Sequence, residues 1–115
     1  MLKLVALITA KPEISRADFI RHYETTHAPL VQSLLPMIAE YRRSYVDRSA
    51  ASGSGPLSLG FDVMTELWFQ DQDALDAFWT RLRAPEVMEQ IRSDEAHFLV
   101  SEATQLFQVD EYRDE

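Results

Sequence analysis

With 115 residues, 46% hydrophobic and 26% charged, the chain has the makeup of one globular domain over 1–115 rather than a disordered or fibrous polypeptide. Nineteen acidic against eleven basic residues give a net charge of −8, which opposes a nucleic-acid partner, and the lack of cysteine removes disulfides, thiolate nucleophiles and Cys-type metal sites. No apolar run approaches the roughly 20 residues of a membrane helix and no secretory leader opens the chain, so a cytoplasmic protein without a membrane partner is expected.

Lys3 to Ala10 is nearly all apolar and too short for a buried helix, which predicts a strand covered on both faces. Ser15 followed by Asp18 marks a helix start, and the periodicity carries that helix to about Leu35, where Pro36 stops it. Phe19, Tyr23, His27, Val31 and Leu34 share one sector of its wheel. Pro29 lies inside it. The ring clashes with the carbonyl of Thr25, predicting a kink near His27–Ala28 and an unpaired carbonyl. Tyr41 to Arg48 reads as a second, half-polar strand. Ser49 to Gly60 holds all three glycines and no charge, which predicts a flexible hairpin loop.

Phe61 to Gln70 alternates cleanly, with Phe61, Val63, Thr65, Leu67 and Phe69 on one face of a third strand. Asp62, Met64, Glu66 and Trp68 occupy the other face, and the two acids are expected to pair with Arg42 and Arg43 on the adjacent strand. Asp71, Asp73 and Asp76 load the first turn of the next helix, whose stripe is Ala74, Leu75, Phe78, Trp79 and Leu82. Pro85 ends it and opens a shorter helix, after which Ser93–Asp94–Glu95 restarts a last turn containing His97 and Phe98. Thr104 to Tyr112 is the closing strand.

The order is βαββαβ, the ferredoxin-like α+β pattern of a four-stranded antiparallel sheet with helices on one face. Apolar residues nevertheless fall on both faces of that sheet. A second copy of the same sheet is the cover expected in so short a chain, giving a homodimer packed face to face.

The residues resemble the EthD family, within the dimeric α+β barrel superfamily. The resemblance rests on the Lys11–Pro12 turn, the Ser15–Asp18–Phe19 helix start, Tyr23 ahead of His27–Ala28–Pro29–Leu30, the strand Glu66–Leu67–Trp68–Phe69, and Asp94–Glu95 with Phe98. It departs from the family at Thr26, where relatives often carry a second histidine, and at Tyr23, where they often carry tryptophan. The resemblance implies the fold and the dimeric barrel. It also points to relatives that look like cofactor-free dehydratases or cyclases acting on aromatic, polyketide-like molecules.

Among residues with chemistry, His27 leads, because a titratable group in the centre of an apolar helix face is there either for a hydrogen bond or for proton transfer. In one reading it faces a cavity walled by Tyr23 and the sheet, held by the carbonyl released at Pro29, and acts as acid or base with a tyrosine hydroxyl assisting. In the other it is a core histidine that locks the kink. Tyr41, Tyr45 and Trp68 are candidates to line a pocket for a flat apolar ligand, with His97 an outside candidate at the same end. His22 reads as a surface partner of Asp18. A metal site is not expected: there is no HxxxH or HxH, and His22 and His27, at i and i+5, lie about 140° apart on an α-helix. Nor do the glycine-rich or nucleophile-elbow motifs occur that would hold a nucleotide cofactor or an acyl group. Two function classes follow: a small cofactor-independent lyase, cyclase or oxygenase on an apolar aromatic or ether-like substrate, or a non-catalytic ligand-binding or accessory protein with a structural His27.

Overall fold

A computed structural model describes residues 1–50 and 59–114. Strand β1 (Leu2–Ile8) leads into α1 (Arg16–His22), a π-helical turn (Tyr23–His27) and α2 (Ala28–Leu34). Then come β2 (Glu40–Tyr45), β3 (Val63–Phe69), α3 (Gln72–Leu82), α4 (Pro85–Glu95) and β4 (Gln105–Val109). The four strands form one antiparallel sheet in the order β2-β3-β1-β4. This is the ferredoxin-like α+β arrangement, with sequence neighbours β1 and β2 separated by the later β3.

The alternation in β3 is realised as written. Val63, Thr65, Leu67 and Phe69 are all buried, and the register sets Leu67 opposite Leu4 and Tyr41, and Thr65 opposite Ala6 and Arg43. Opposed residues project to the same side, so these residues share a face. Two apolar clusters fill the space beneath the helices, one of Leu4, Leu67 and Phe69 with α3 and α4, the other of Ala6, Ile8 and Val63 with Phe19, Tyr23 and Phe98. Helix starts follow their capping chemistry: Ser15 Oγ accepts from the Asp18 N–H at 3.1 Å, and Asp71 Oδ1 from the Ala74 N–H at 2.9 Å.

On the second face of the sheet, Val5 is opposite both Glu66 and Phe107, and Leu7 opposite Met64. Trp68 lies on this face, with Lys3 Nζ 4.7 Å and the Arg42 guanidinium 5.0 Å from its ring. The ion pairs here differ from those expected. Glu66 pairs with Lys3, which projects beside it from β1, whereas Arg42 turns to Glu40. Asp62 takes Arg48 at 2.9 Å and the Ala10 N–H at 2.7 Å, and Arg43, on the helix side of the sheet, pairs with Glu24. Register places Arg43 on the face opposite Glu66's, but it sets Arg42 directly across from Glu66, so the choice of Lys3 over Arg42 is made by side-chain direction and not by register.

Two further expectations change. The segment Ser93–Asp94–Glu95 does not restart a turn; it is the unbroken end of α4, and the chain closes after it through Phe98 and Leu99 N–H groups that donate to the Glu95 carbonyl at 3.1 and 2.9 Å. β2 ends at Tyr45, and Arg48 lies in a short 3₁₀ turn beyond it. Most of the Ser49–Gly60 loop, residues 51–58, lies outside the described residues. No described helix is long and apolar enough to cross a membrane.

Candidate active site

Pro29 supplies no N–H to the helical ladder, and the chain answers with a wider turn instead of a sharp kink. The Ala28 N–H bonds to the Tyr23 carbonyl, five residues back, and Pro29 then sits in the first turn of α2. The Thr25 hydroxyl donates to the Arg21 carbonyl at 2.6 Å. Closing the turn at i, i+5 brings His22 and His27 onto one side of the helix. In a continuous α-helix they would lie about 140° apart.

Both histidines meet one carboxylate. His22 Nε2–H donates to Asp94 Oδ1 at 2.9 Å, and His27 Nδ1–H donates to Asp94 Oδ2 at 2.8 Å. A carboxylate can only accept, so each bonded ring nitrogen carries the hydrogen. The Asp18 side chain is taken by Arg21, so it is not the partner of His22. Nor does a backbone carbonyl orient His27; the carboxylate of α4 does. Phe98, fully buried, packs beneath, its ring centre 4.5 Å from His22 and 5.0 Å from His27.

His27 is 4% exposed, and burial pushes its pKa below the ordinary 6.5, with Asp94 pulling the other way. The imidazole is thus neutral near neutral pH, with its hydrogen on Nδ1. Nε2 is left with its lone pair and no hydrogen bond to any described residue. The His27 side chain lines a cavity of about 120 Å³ between sheet and helices, walled by Tyr23, Tyr41, Thr65, Leu67 and Phe78 among other mostly apolar residues. An oriented imidazole at an apolar cavity is the arrangement of a general base.

A chain of hydroxyls runs along the cavity wall. Tyr41 donates to the Tyr23 oxygen at 3.1 Å, which leaves the Tyr23 hydrogen for Thr65 Oγ1 at 2.6 Å. Burial drives the pKa of both phenols upward, so they stay protonated and act through hydrogen bonds. The Tyr23 ring meets His27 edge-on at 5.3 Å.

The remaining sequence candidates lie elsewhere. Tyr45 donates its hydroxyl to Glu24, which also holds Arg43, and it borders a separate pocket with Phe19 and Arg48. Trp68 is on the far side of the sheet, because the alternation that buries Leu67 and Phe69 under the helices turns Trp68 away. His97 follows the end of α4 on the outer surface, its ring 6.0 Å from His22 and beside Leu30. Asp94 is the candidate-site residue that sequence reasoning missed. Its signal was the Asp94–Glu95–x–x–Phe98 pattern, which read there as a turn. Among the described residues no cluster of three or more His, Asp or Glu is arranged to hold a metal ion.

Sheet order, helix placement and a histidine–aspartate pair at an apolar cavity define an α+β protein of ferredoxin-like fold with a candidate acid–base site. The chain belongs to the EthD family: the EthD domain model matches residues 11–102. It is similar to an EthD family protein of Bacillus halodurans, with 23% identity, a TM-score of 0.65, and 97% of this chain and 100% of that one covered. A dimeric ferredoxin-like protein of unknown function from Thermobifida fusca is 16% identical, with a TM-score of 0.59 over 94% of this chain and 88% of that one. SnoaB, a cofactor-independent oxygenase of Streptomyces nogalater, is 12% identical, with a TM-score of 0.58 over 98% and 94%. No curated protein sequence matches the chain.

Proposed function

We propose that this protein is a cofactor-independent enzyme of the lyase, cyclase or oxygenase kind, acting on a small apolar aromatic or ether-like molecule held between sheet and helices. The observation that carries the reading is Asp94 on His27 Nδ1, which fixes the tautomer and leaves Nε2 as a base at the cavity. His27 Nε2 takes a proton from the substrate, the electron pair stays on the substrate, and the Asp94 carboxylate stabilises the imidazolium that forms. The Tyr41 oxygen keeps lone pairs for a substrate hydroxyl, and Tyr23 holds Tyr41 in place. The fold likeness to a cofactor-independent oxygenase is in keeping with chemistry by side chains alone. In the non-catalytic reading, the two histidines only tie α1 and α2 to α4 through Asp94.

The cavity is tested directly by nuclear magnetic resonance with toluene as probe. Toluene is expected to shift the His27 Cε1–H and Tyr41 ring signals along a saturating curve, whereas the exposed Tyr112 stays put. Saturating toluene without movement at His27 would remove the ligand site from both readings.

The active assembly is a homodimer, as the neighbour from Thermobifida fusca is described to be. Val5, Leu7, Met64 and Phe107 share the face of the sheet that the helices leave bare, and Phe107 is 42% exposed. Burial of such a strip against a second copy removes it from water. Sedimentation equilibrium at micromolar concentration is expected to give twice the 13.3 kDa chain mass, and Phe107→Glu to return it to the chain mass. A wild-type protein that sediments as a single chain refutes the assembly.

A further inference from the structure

The cavity beside His27 has a second polar end. Glu95, next in sequence to Asp94, and Thr104, just before β4, both line it, and both also line an outer pocket of about 420 Å³ with Arg92, Ser101 and Glu102. These two side chains therefore stand between the inner cavity and the outside. Their bonding is incomplete. Ser101 Oγ donates to Glu95 Oε1 at 3.2 Å, but Glu95 Oε2 accepts from no described residue. Thr104 Oγ1 is buried and is the one such side-chain atom among the described residues without a hydrogen-bond partner. A buried hydroxyl left unpaired is costly, and a carboxylate oxygen in a partly desolvated place gains most from a donor.

Charge narrows the ligand further. No lysine or arginine lines the inner cavity. Arg43, whose guanidinium lies over the Tyr41 ring, is already engaged: Nε and Nη2 donate to Glu24 at 2.9 and 2.7 Å, and Nη1 to the Tyr41 carbonyl at 3.2 Å. An anionic ligand in the inner cavity would thus meet the Glu95 carboxylate with no cation on the cavity side, Arg92 bordering only the outer pocket, whereas a neutral hydroxyl can donate to Glu95 Oε2. Burial, joined by the nearby Asp94 and outweighing Ser101 and Arg92, pushes the Glu95 pKa above its ordinary 4.5, so this end of the cavity disfavours added negative charge.

We propose that Glu95 and Thr104 form the specificity end of this cavity, selecting a neutral molecule with a hydroxyl on an apolar body, a phenol or an alcohol, and rejecting the matching carboxylate. The hydroxyl donates to Glu95 Oε2, and its oxygen accepts from the Thr104 hydroxyl once that side chain turns toward it. A site that pairs its own polar groups with a ligand hydroxyl discriminates against analogues that lack it. This selectivity rests on the ligand-binding reading above, and its test separates the two.

Three probes of one shape, toluene, p-cresol and p-toluate, are titrated into the intact protein and into Glu95→Gln and Thr104→Val, with affinity read from resonance shifts. Wild type is expected to hold p-cresol about 10-fold more tightly than toluene, and p-toluate at least about 10-fold more weakly than p-cresol, the scale of one charge-assisted hydrogen bond. Glu95→Gln should keep the toluene affinity and raise that of p-toluate about fivefold or more. Thr104→Val, nearly isosteric, should keep toluene and shrink the p-cresol preference several-fold. If toluene binds and the three-probe ratios stay within twofold in both variants, the specificity assignment is overturned and the cavity reading stands. If wild type binds p-toluate as well as p-cresol, the assignment is likewise wrong. If none of the three binds wild type, the ligand site itself falls and this assignment with it.

Discussion

Replacing His27 with glutamine is expected to leave a folded protein that still takes toluene but loses proton-transfer turnover by about 10²–10⁴, the usual share of a positioned acid or base. A convenient reaction is the ring opening of nitrobenzisoxazole, in which a base removes one C–H proton and a coloured cyanophenolate is released. Glutamine keeps an N–H for Asp94, so the tie between helices survives while the lone pair at Nε2 is gone. The pH profile carries the sign of the pKa shift. Burial lowers the His27 pKa below 6.5, so the base is neutral above that value and the rate falls on the acid side with a midpoint under 6.5. Stability follows the same group. The unfolded chain takes up the proton first as pH drops, so the folded state is favoured least below the folded pKa and recovers fully above about 6.5. If His27→Gln keeps its rate and loses melting temperature instead, the histidine is structural.

Phe98→Ala is expected to be the most damaging core substitution near the site, at about 3–5 kcal/mol. The ring is fully buried and packs against Phe19 at 5.5 Å, Tyr23 at 5.7 Å and both histidines. Removing it leaves a cavity and takes away the floor on which the two imidazoles rest. Urea unfolding should show a lower midpoint at unchanged slope, with Tyr112→Ala, 93% exposed, as a control within about 0.5 kcal/mol of wild type. A loss under about 1 kcal/mol would mean that the floor is not needed.

The strands were legible because their signal is local. β1 is apolar but for Lys3 and β3 alternates, and these two patterns mark the central pair of the sheet. The order of elements then left little choice of topology. The site was legible only in part. His27 stood out as a polar group on an apolar stripe, and Tyr23 and Tyr41 follow from the same faces. Asp94 did not, because it lies 67 residues from His27 in sequence and only the packing of α4 brings it there. Trp68 was misassigned to the pocket by its aromatic character, although its own alternation register already turned it from Leu67 and Phe69. The ion pairs of Glu66 and Asp62 failed for another reason: Arg42 does lie across from Glu66, but long side chains choose among several neighbours, and Lys3 and Arg48 reach the two acids instead.

The widened turn between Tyr23 and His27 also changes how length is counted along this helix. An i, i+5 closure holds one residue more than an α turn, yet the helix leaves it in the same angular phase in which it entered. Phe19 before the turn and Val31 after it both point into the core. The extra residue is thereby absorbed outside the face that matters. A chain one residue shorter in 24–26 would put the two imidazoles at ordinary α spacing and leave both facing α4. The geometry at Asp94 thus depends on matching the closure to the spacing: a five-residue interval between the imidazoles needs the wide turn, and a four-residue interval would need none.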